Sequence, residues 1–141
     1  MLGIFALTSA AIFFGAAIYI NLAEHPARLD LPVEATLAEW KPSYKRGLAM
    51  QASIAVVSGL CGLAIWWTSG ATLWLLGALA ILANWPFTLF VMMPVNHRLE
   101  ATAPGSANPE TRALLLRWGR LHAVRSALGG LATLLFMVAS F

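Results

Sequence analysis

Residues Leu116–Gly130 read LRWGRLHAVRSALGG. An arginine and a histidine stand here in a run that turns steadily more apolar. Behind them, residues 127–141 carry no charged side chain. Trp118, His122 and Arg125 are spaced i, i+4, i+7, so one helical face presents all three. A helix that is charged as far as Arg125 and apolar beyond it fits a membrane span. Its one end then carries ionisable groups to the lip of the bilayer or just below it. An ionisable side chain at that depth is by default a functional-site hypothesis.

The rest of the chain agrees with a membrane setting. Of its 141 residues, 60% are hydrophobic and only 11% charged, with a mean hydropathy of +0.75. A soluble domain carries about 25% charged residues. At about 20 residues per span, the length allows four spans and no separate soluble domain. The net charge of +3 then bears on orientation and lipid contact and not on nucleic acid. Cys61 is the only cysteine, so no intrachain disulfide can form. No phosphate loop, dinucleotide fingerprint or nucleophile elbow occurs.

The pattern predicts spans at about 2–22, 46–68, 71–94 and 112–140 in a single transmembrane domain. The first apolar run lacks a positive leader and is longer than a signal-peptide core, so it reads as a retained helix. It ends in the densest polar patch of the chain, Asn21-Leu-Ala-Glu24-His25-Pro26-Ala-Arg28. Pro26 is expected to stand at or near its end. Pro32 and Glu34 suggest a short interfacial helix to about Trp40, broken at Lys41-Pro42-Ser43. Ser58 and Gly62 allow close helix approach, Trp66 and Trp67 anchor the far interface, and Ser69-Gly70 is the turn. Asn84, Trp85, Pro86 and Thr88 interrupt the third span, where Pro86 should kink it. Asn108-Pro109-Glu110 is a helix start, with a cap, a proline in the first position and an acid in the first turn. The expected fold is all-α: a four-helix transmembrane bundle with a short interfacial helix after the first span and both termini on one side.

All nine Lys and Arg and all six acids lie in or beside the two long connections. The positive-inside rule puts those connections in the cytoplasm and both termini outside a plasma (inner) membrane. Counting 1.5 Å per residue from the span ends brings Tyr19, Asn21, Gln51, Asn84, Thr88, His122 and Arg125 to one shallow layer. Arg125 needs a partner there, because an unpaired buried charge is costly, and Glu24 is the nearest anion by this count. Blander readings exist. Arg117 and Arg120 snorkel to headgroups. Gln51 and Thr88 could be interhelical glue, and Glu24 with His25 an interface cap. His25, His97, His122, Glu24 and Glu100 could supply metal ligands, but no HxxH, ExxH or CxxC spacing occurs.

Three motifs carry a resemblance. Tyr19-x-Asn21-x-x-Glu24-His25-Pro26-Ala27-Arg28, Pro94-x-Asn96-x-x-Leu99 and Trp118-x-x-x-His122-x-x-Arg125 together resemble the anthrone-oxygenase-like membrane family. The resemblance covers the whole chain in order and spacing. It implies a four-helix membrane protein, some relatives of which oxidise anthrones to anthraquinones with molecular oxygen. With the polar layer, it suggests a membrane-embedded oxygenase of a flat, apolar aromatic substrate near the cytoplasmic lip. His122 or His25 would take the acidic C–H proton, with Glu24 in the same catalytic set. Arg125, with Asn84 or Asn21, would stabilise the enolate. Trp118, Trp85 and Tyr19 would pack the rings, and Gln51, Thr88 and Asn96 would complete the binding set. No cofactor need be involved. The alternative is a haem or transition-metal redox protein using His25, His122 and His97, since the layout also distantly resembles small membrane haem proteins. A third reading is a non-enzymatic subunit that binds lipid or a partner, and a homo-oligomer is compatible with all three.

Overall fold

The computed structural model describes residues 1–141. It has four long helices: α1 Leu2–Leu29, α2 Val33–Ser69, α3 Thr72–Ala101 and α4 Pro109–Ala139. Each is long and apolar enough to cross a membrane, and the chain is an integral membrane protein built as an all-α four-helix bundle. Up-and-down order brings the α1–α2 and α3–α4 connections to one end, which we call the charged end. The α2–α3 turn and both termini lie at the other. Each helix packs on its neighbours in sequence, and α1 closes the ring against α4.

The turns form as their residues require. Gly70 ends α2 with φ +70°, a left-handed conformation that costs glycine little, and its N–H donates to Trp66 O at 2.8 Å. At the start of α4, Asn108 Oδ1 accepts from Thr111 N–H at 3.1 Å, and Thr111 Oγ1 accepts from Asn108 N–H at 3.2 Å. This reciprocal cap satisfies two otherwise orphaned donors.

The structure departs from the sequence reading at the prolines. The segment expected as a separate interfacial helix is helical, but it runs through Pro42 without a break and forms the first part of α2. Pro26 does stand near the end of α1, as expected, and the helix closes three residues later at Leu29. The physical reason is where the rings sit. Pro26, Pro42, Pro86 and Pro94 all lie on exposed outer surfaces, so each ring and the carbonyl it frees face away from the core. Two wide π turns help: Ile20–Glu24 precedes Pro26, and Thr88–Met92 precedes Pro94. Each accommodates one extra residue and relaxes the hydrogen-bond ladder where the proline interrupts it.

The core has three layers along the bundle. At the uncharged end, Phe136 of α4 stacks on Trp74 with ring centroids 5.3 Å apart. It fills space left by Gly62 and Gly77, where an added Cβ would lie 2.7 and 2.5 Å from the ring. Phe13, Ala17, Ala55, Ile81 and Ala132 form the middle layer. At the charged end, Leu37, Trp40, Tyr44, Leu99, Leu115 and Trp118 form the third. Between the middle and charged-end layers each helix contributes polar side chains: Asn21, Gln51, Asn84, Thr88, His122, Arg125 and Ser126.

Candidate functional site

Arg125 is the charge that this layer has to explain. It is 5% exposed and makes no ion pair and no hydrogen bond within the protein, and its Nε is a buried donor without a partner. The one compensating contact is with Phe13, whose ring centre lies 5.6 Å from the guanidinium Cζ. Glu24, the expected counter-ion, is engaged elsewhere. It pairs with Arg28, which also pairs with Glu39. Ser43 joins that network, accepting from Arg28 at 2.6 Å and donating to Glu24 Oε1 at 2.8 Å. The reason is proximity: Glu24 and Arg28 are one turn apart on the same helix.

Arg125 faces two adjoining cavities. The outer one, of about 120 Å³, lies between α2 and α3. Its wall is apolar (Leu48, Ala52, Ala55, Leu89 and Met93) except for Gln51, Asn84, Thr88 and Arg125, and exposed Trp85 forms its outer edge. Trp85 Nε1 donates to Ala52 O at 3.3 Å across that edge. Both polar atoms of Gln51 and the Oδ1 of Asn84 are buried without partners. Asn84 Nδ2 is committed to Ile81 O at 3.0 Å, so Asn84 offers the cavity an acceptor. That acceptor suits a hydroxyl donor and not an oxyanion, and the donors on this wall are Arg125 and the Gln51 amide N–H. Buried polar atoms in folded proteins are nearly always satisfied, so these four would be met by water or by a bound molecule in the cavity.

The other, which we call the inner cavity, has a volume of about 20 Å³ and lies toward the charged end, among Arg28, Ser43, Tyr44, Gln51, Trp118, His122 and Arg125. It has room for one water molecule. Leu48, Gln51 and Arg125 line both cavities. His122 is buried and stacked on Trp118 with centroids 4.9 Å apart. Its Nδ1 lies 2.8 Å from Asn21 Oδ1, which also accepts from Ser126 Oγ at 2.7 Å. Asn21 Nδ2 donates to Gly119 O at 2.9 Å. Both ends of Asn21 are thus engaged inside the bundle, with one Nδ2 hydrogen left over.

Other expected site residues fall outside this pair of cavities. His25 Nε2 donates to Leu115 O at 3.0 Å and its ring packs on Trp118, centroids 5.1 Å apart. That packing needs Gly119, where an added Cβ would meet the His25 ring at 2.5 Å. Tyr19 is exposed and borders an open groove between α1 and α2, with Glu24, Glu39 and Arg46. Asn96 is buried but faces Met93, with Nδ2 3.9 Å from Sδ. His97 is exposed. His25, His97 and His122 do not form a ligand set, and no three His, Cys, Asp or Glu side chains gather as one. The structure adds Tyr44, Ser43, Glu39 and Ser126, which sequence reasoning left out. Ser126 and Tyr44 did have a signal, one turn after His122 and two turns before Gln51 respectively.

The comparisons with known proteins fit this geometry. A family model described as anthrone oxygenase matches residues 40–135. The anthrone oxygenase tpcL of Aspergillus fumigatus is 32% identical over 132 residues, which cover 86% of this chain and 81% of that protein. No solved structure matches. The family match takes in every residue of the outer cavity, and the relative is aligned over most of both chains. On these grounds the chain belongs to the anthrone oxygenase family.

Proposed function

We propose that the protein is a membrane-embedded oxygenase of a flat, apolar, phenolic ketone of the anthrone type, bound in the outer cavity between α2 and α3. The observation that carries this reading is Arg125, a buried guanidinium with no anion of its own, at the wall of an otherwise apolar cavity. A neutral ketone that turns into an enolate supplies the missing negative charge during the reaction. An interaction that strengthens as charge develops is the kind that accelerates a chemical step.

In the proposed reaction, the substrate oxygen faces Arg125 and the Gln51 amide, and a phenolic hydroxyl donates to Asn84 Oδ1. Trp85 covers the rings, and Trp118 holds the His122 ring. His122 takes the activated methylene proton, directly or through one water in the inner cavity, since a general base can act through one intervening water. The enolate transfers an electron to molecular oxygen, and the two radicals combine at the same carbon. His122 returns its proton to the peroxide. Removal of the second C–H proton then breaks the O–O bond, leaving a carbonyl and hydroxide, which becomes water with the proton His122 holds. The balance is one CH2 plus O2 to one C=O plus H2O, with no further reductant. Oxygen dissolves better in hydrocarbon than in water, which suits a cavity bordered by the lipid-facing surface. The asymmetry of Lys and Arg supports a topology with both termini outside a plasma membrane and the connections in the cytoplasm.

The test is oxygen uptake by the purified protein in detergent with an anthrone, corrected for spontaneous autoxidation in the same micelles. His122→Ala is expected to fall to that background while keeping its thermal unfolding transition. Full turnover in that variant would overturn the assignment.

A further inference from the structure

We infer that Asn21 is a positioning residue that fixes the tautomer of His122, holding the proton on Nδ1 and leaving Nε2 as the only site from which this ring can act as a base. The inference rests on the proposed oxygenase reading for its purpose, but not for its geometry.

The argument starts from an atom that cannot change its role. Gly119 O is a backbone carbonyl and can only accept. The Asn21 side-chain atom 2.9 Å from it is therefore the amide nitrogen, since an oxygen there would face another oxygen. That fixes the other end of the amide as Oδ1. Oδ1 carries no hydrogen, so both groups that meet it must donate. Ser126 does so through its hydroxyl at 2.7 Å. His122 does so through Nδ1–H at 2.8 Å. A neutral imidazole with its proton on Nδ1 has its lone pair on Nε2.

The surroundings keep the ring from escaping this choice. His122 is 1% exposed, so it cannot rotate out to solvent. Its face lies on Trp118, which fixes the ring plane. Nε2 makes no hydrogen bond within the protein, and the ring borders the water-sized inner cavity with Tyr44, Gln51 and Arg125. Free histidine prefers the opposite tautomer, with the proton on Nε2. In that form the ring would present a donor to the cavity, and no base. The Gly119–Asn21–His122 chain thus does here what a carboxylate or carbonyl does behind other catalytic histidines: it sets which nitrogen is free. Asn21 sits in the π turn Ile20–Glu24, whose extra residue alters the direction in which its side chain leaves α1.

The test is nitrogen NMR on isotope-labelled histidine in the detergent-solubilised protein, with His25→Gln and His97→Gln variants to assign the three rings. The expected spectrum for His122 shows a protonated, pyrrole-type Nδ1 and an unprotonated, pyridine-type Nε2. In Asn21→Leu the His122 signal is expected to shift to the Nε2–H form, with kcat falling by about 10- to 100-fold, the size of loss found when the hydrogen-bond partner behind a metal-ligating histidine is removed, and KM little changed. A wild-type His122 with its proton on Nε2, or with both nitrogens protonated, overturns the inference whatever the activity. An Nδ1–H signal in a protein that takes up no oxygen leaves the tautomer lock standing and removes the oxygenase reading instead.

Discussion

Arg125→Met should make the protein more stable and nearly inactive. Taking a guanidinium out of water costs several kcal/mol unless an anion repays it. Arg125 has no anion, and its contact with Phe13 at 5.6 Å returns about 1 to 2 kcal/mol. Methionine keeps an unbranched, flexible side chain of similar reach and removes the charge. The expected gain is about 1 to 4 kcal/mol, the range seen when buried ions give way to well-packed apolar residues. It would appear as a rise of several degrees in the unfolding temperature in detergent. Activity should move the other way. Losing one oxyanion partner costs about 10²- to 10³-fold in kcat. The assay pairs thermal unfolding with oxygen uptake on the same preparation. A lower unfolding temperature would mean that Arg125 has a partner inside the bundle, because breaking a buried pair costs about 3 to 5 kcal/mol. That result would refute the reasoning, since the cavity would then hold a compensated charge with no call for an anionic ligand.

Ala52→Leu adds three carbons to the wall of the outer cavity of about 120 Å³ and should raise KM at least tenfold with the unfolding temperature little changed. Unaltered steady-state kinetics would place the substrate elsewhere. Gly119→Ala puts a Cβ 2.5 Å from the His25 ring, which must leave Leu115 O; a loss of about 1 to 3 kcal/mol is expected in thermal unfolding. In a Cys61→Ala background, an Ala103→Cys variant should react with a membrane-impermeant maleimide only when the cytoplasmic face is open. Labelling from the outside of intact cells would reverse the proposed orientation.

The architecture was legible because its signals are long and redundant. Four apolar runs, one tight Ser69-Gly70 turn and charges confined to two connections leave few arrangements other than a four-helix bundle. The prolines were read too strongly. A proline in a helix removes one hydrogen bond, but whether it ends the helix depends on which side its ring faces. Pro42 lies opposite Trp40 and Tyr44, which stack with centroids 4.7 Å apart and hold both sides of the supposed break in one core. Packing of that size outweighs one lost backbone bond, and local sequence does not show it.

The site was legible in depth but not in rotation. Counting along each span brought Tyr19, Asn21, Gln51, Asn84, Thr88, His122 and Arg125 to a common level; Tyr19 is exposed on the outside of the bundle, and the other six stand between the same two core layers. Which of them face one another depends on how each helix is turned, and two of the six sit in π turns, Asn21 in Ile20–Glu24 and Thr88 in Thr88–Met92. One extra residue in a turn redirects the side chains there, so a period of 3.6 cannot place them. Depth alone also misassigned Glu24 to Arg125, when Arg28 stood one turn away on Glu24's own helix. Correcting that pairing strengthens the functional argument. A paired Arg125 would have been structural glue like the Arg28 network. Left without a counter-ion among an apolar wall, Gln51 and Asn84, it is the charge on which the proposed reading rests, in which a molecule neutral enough to enter from lipid becomes anionic as it reacts.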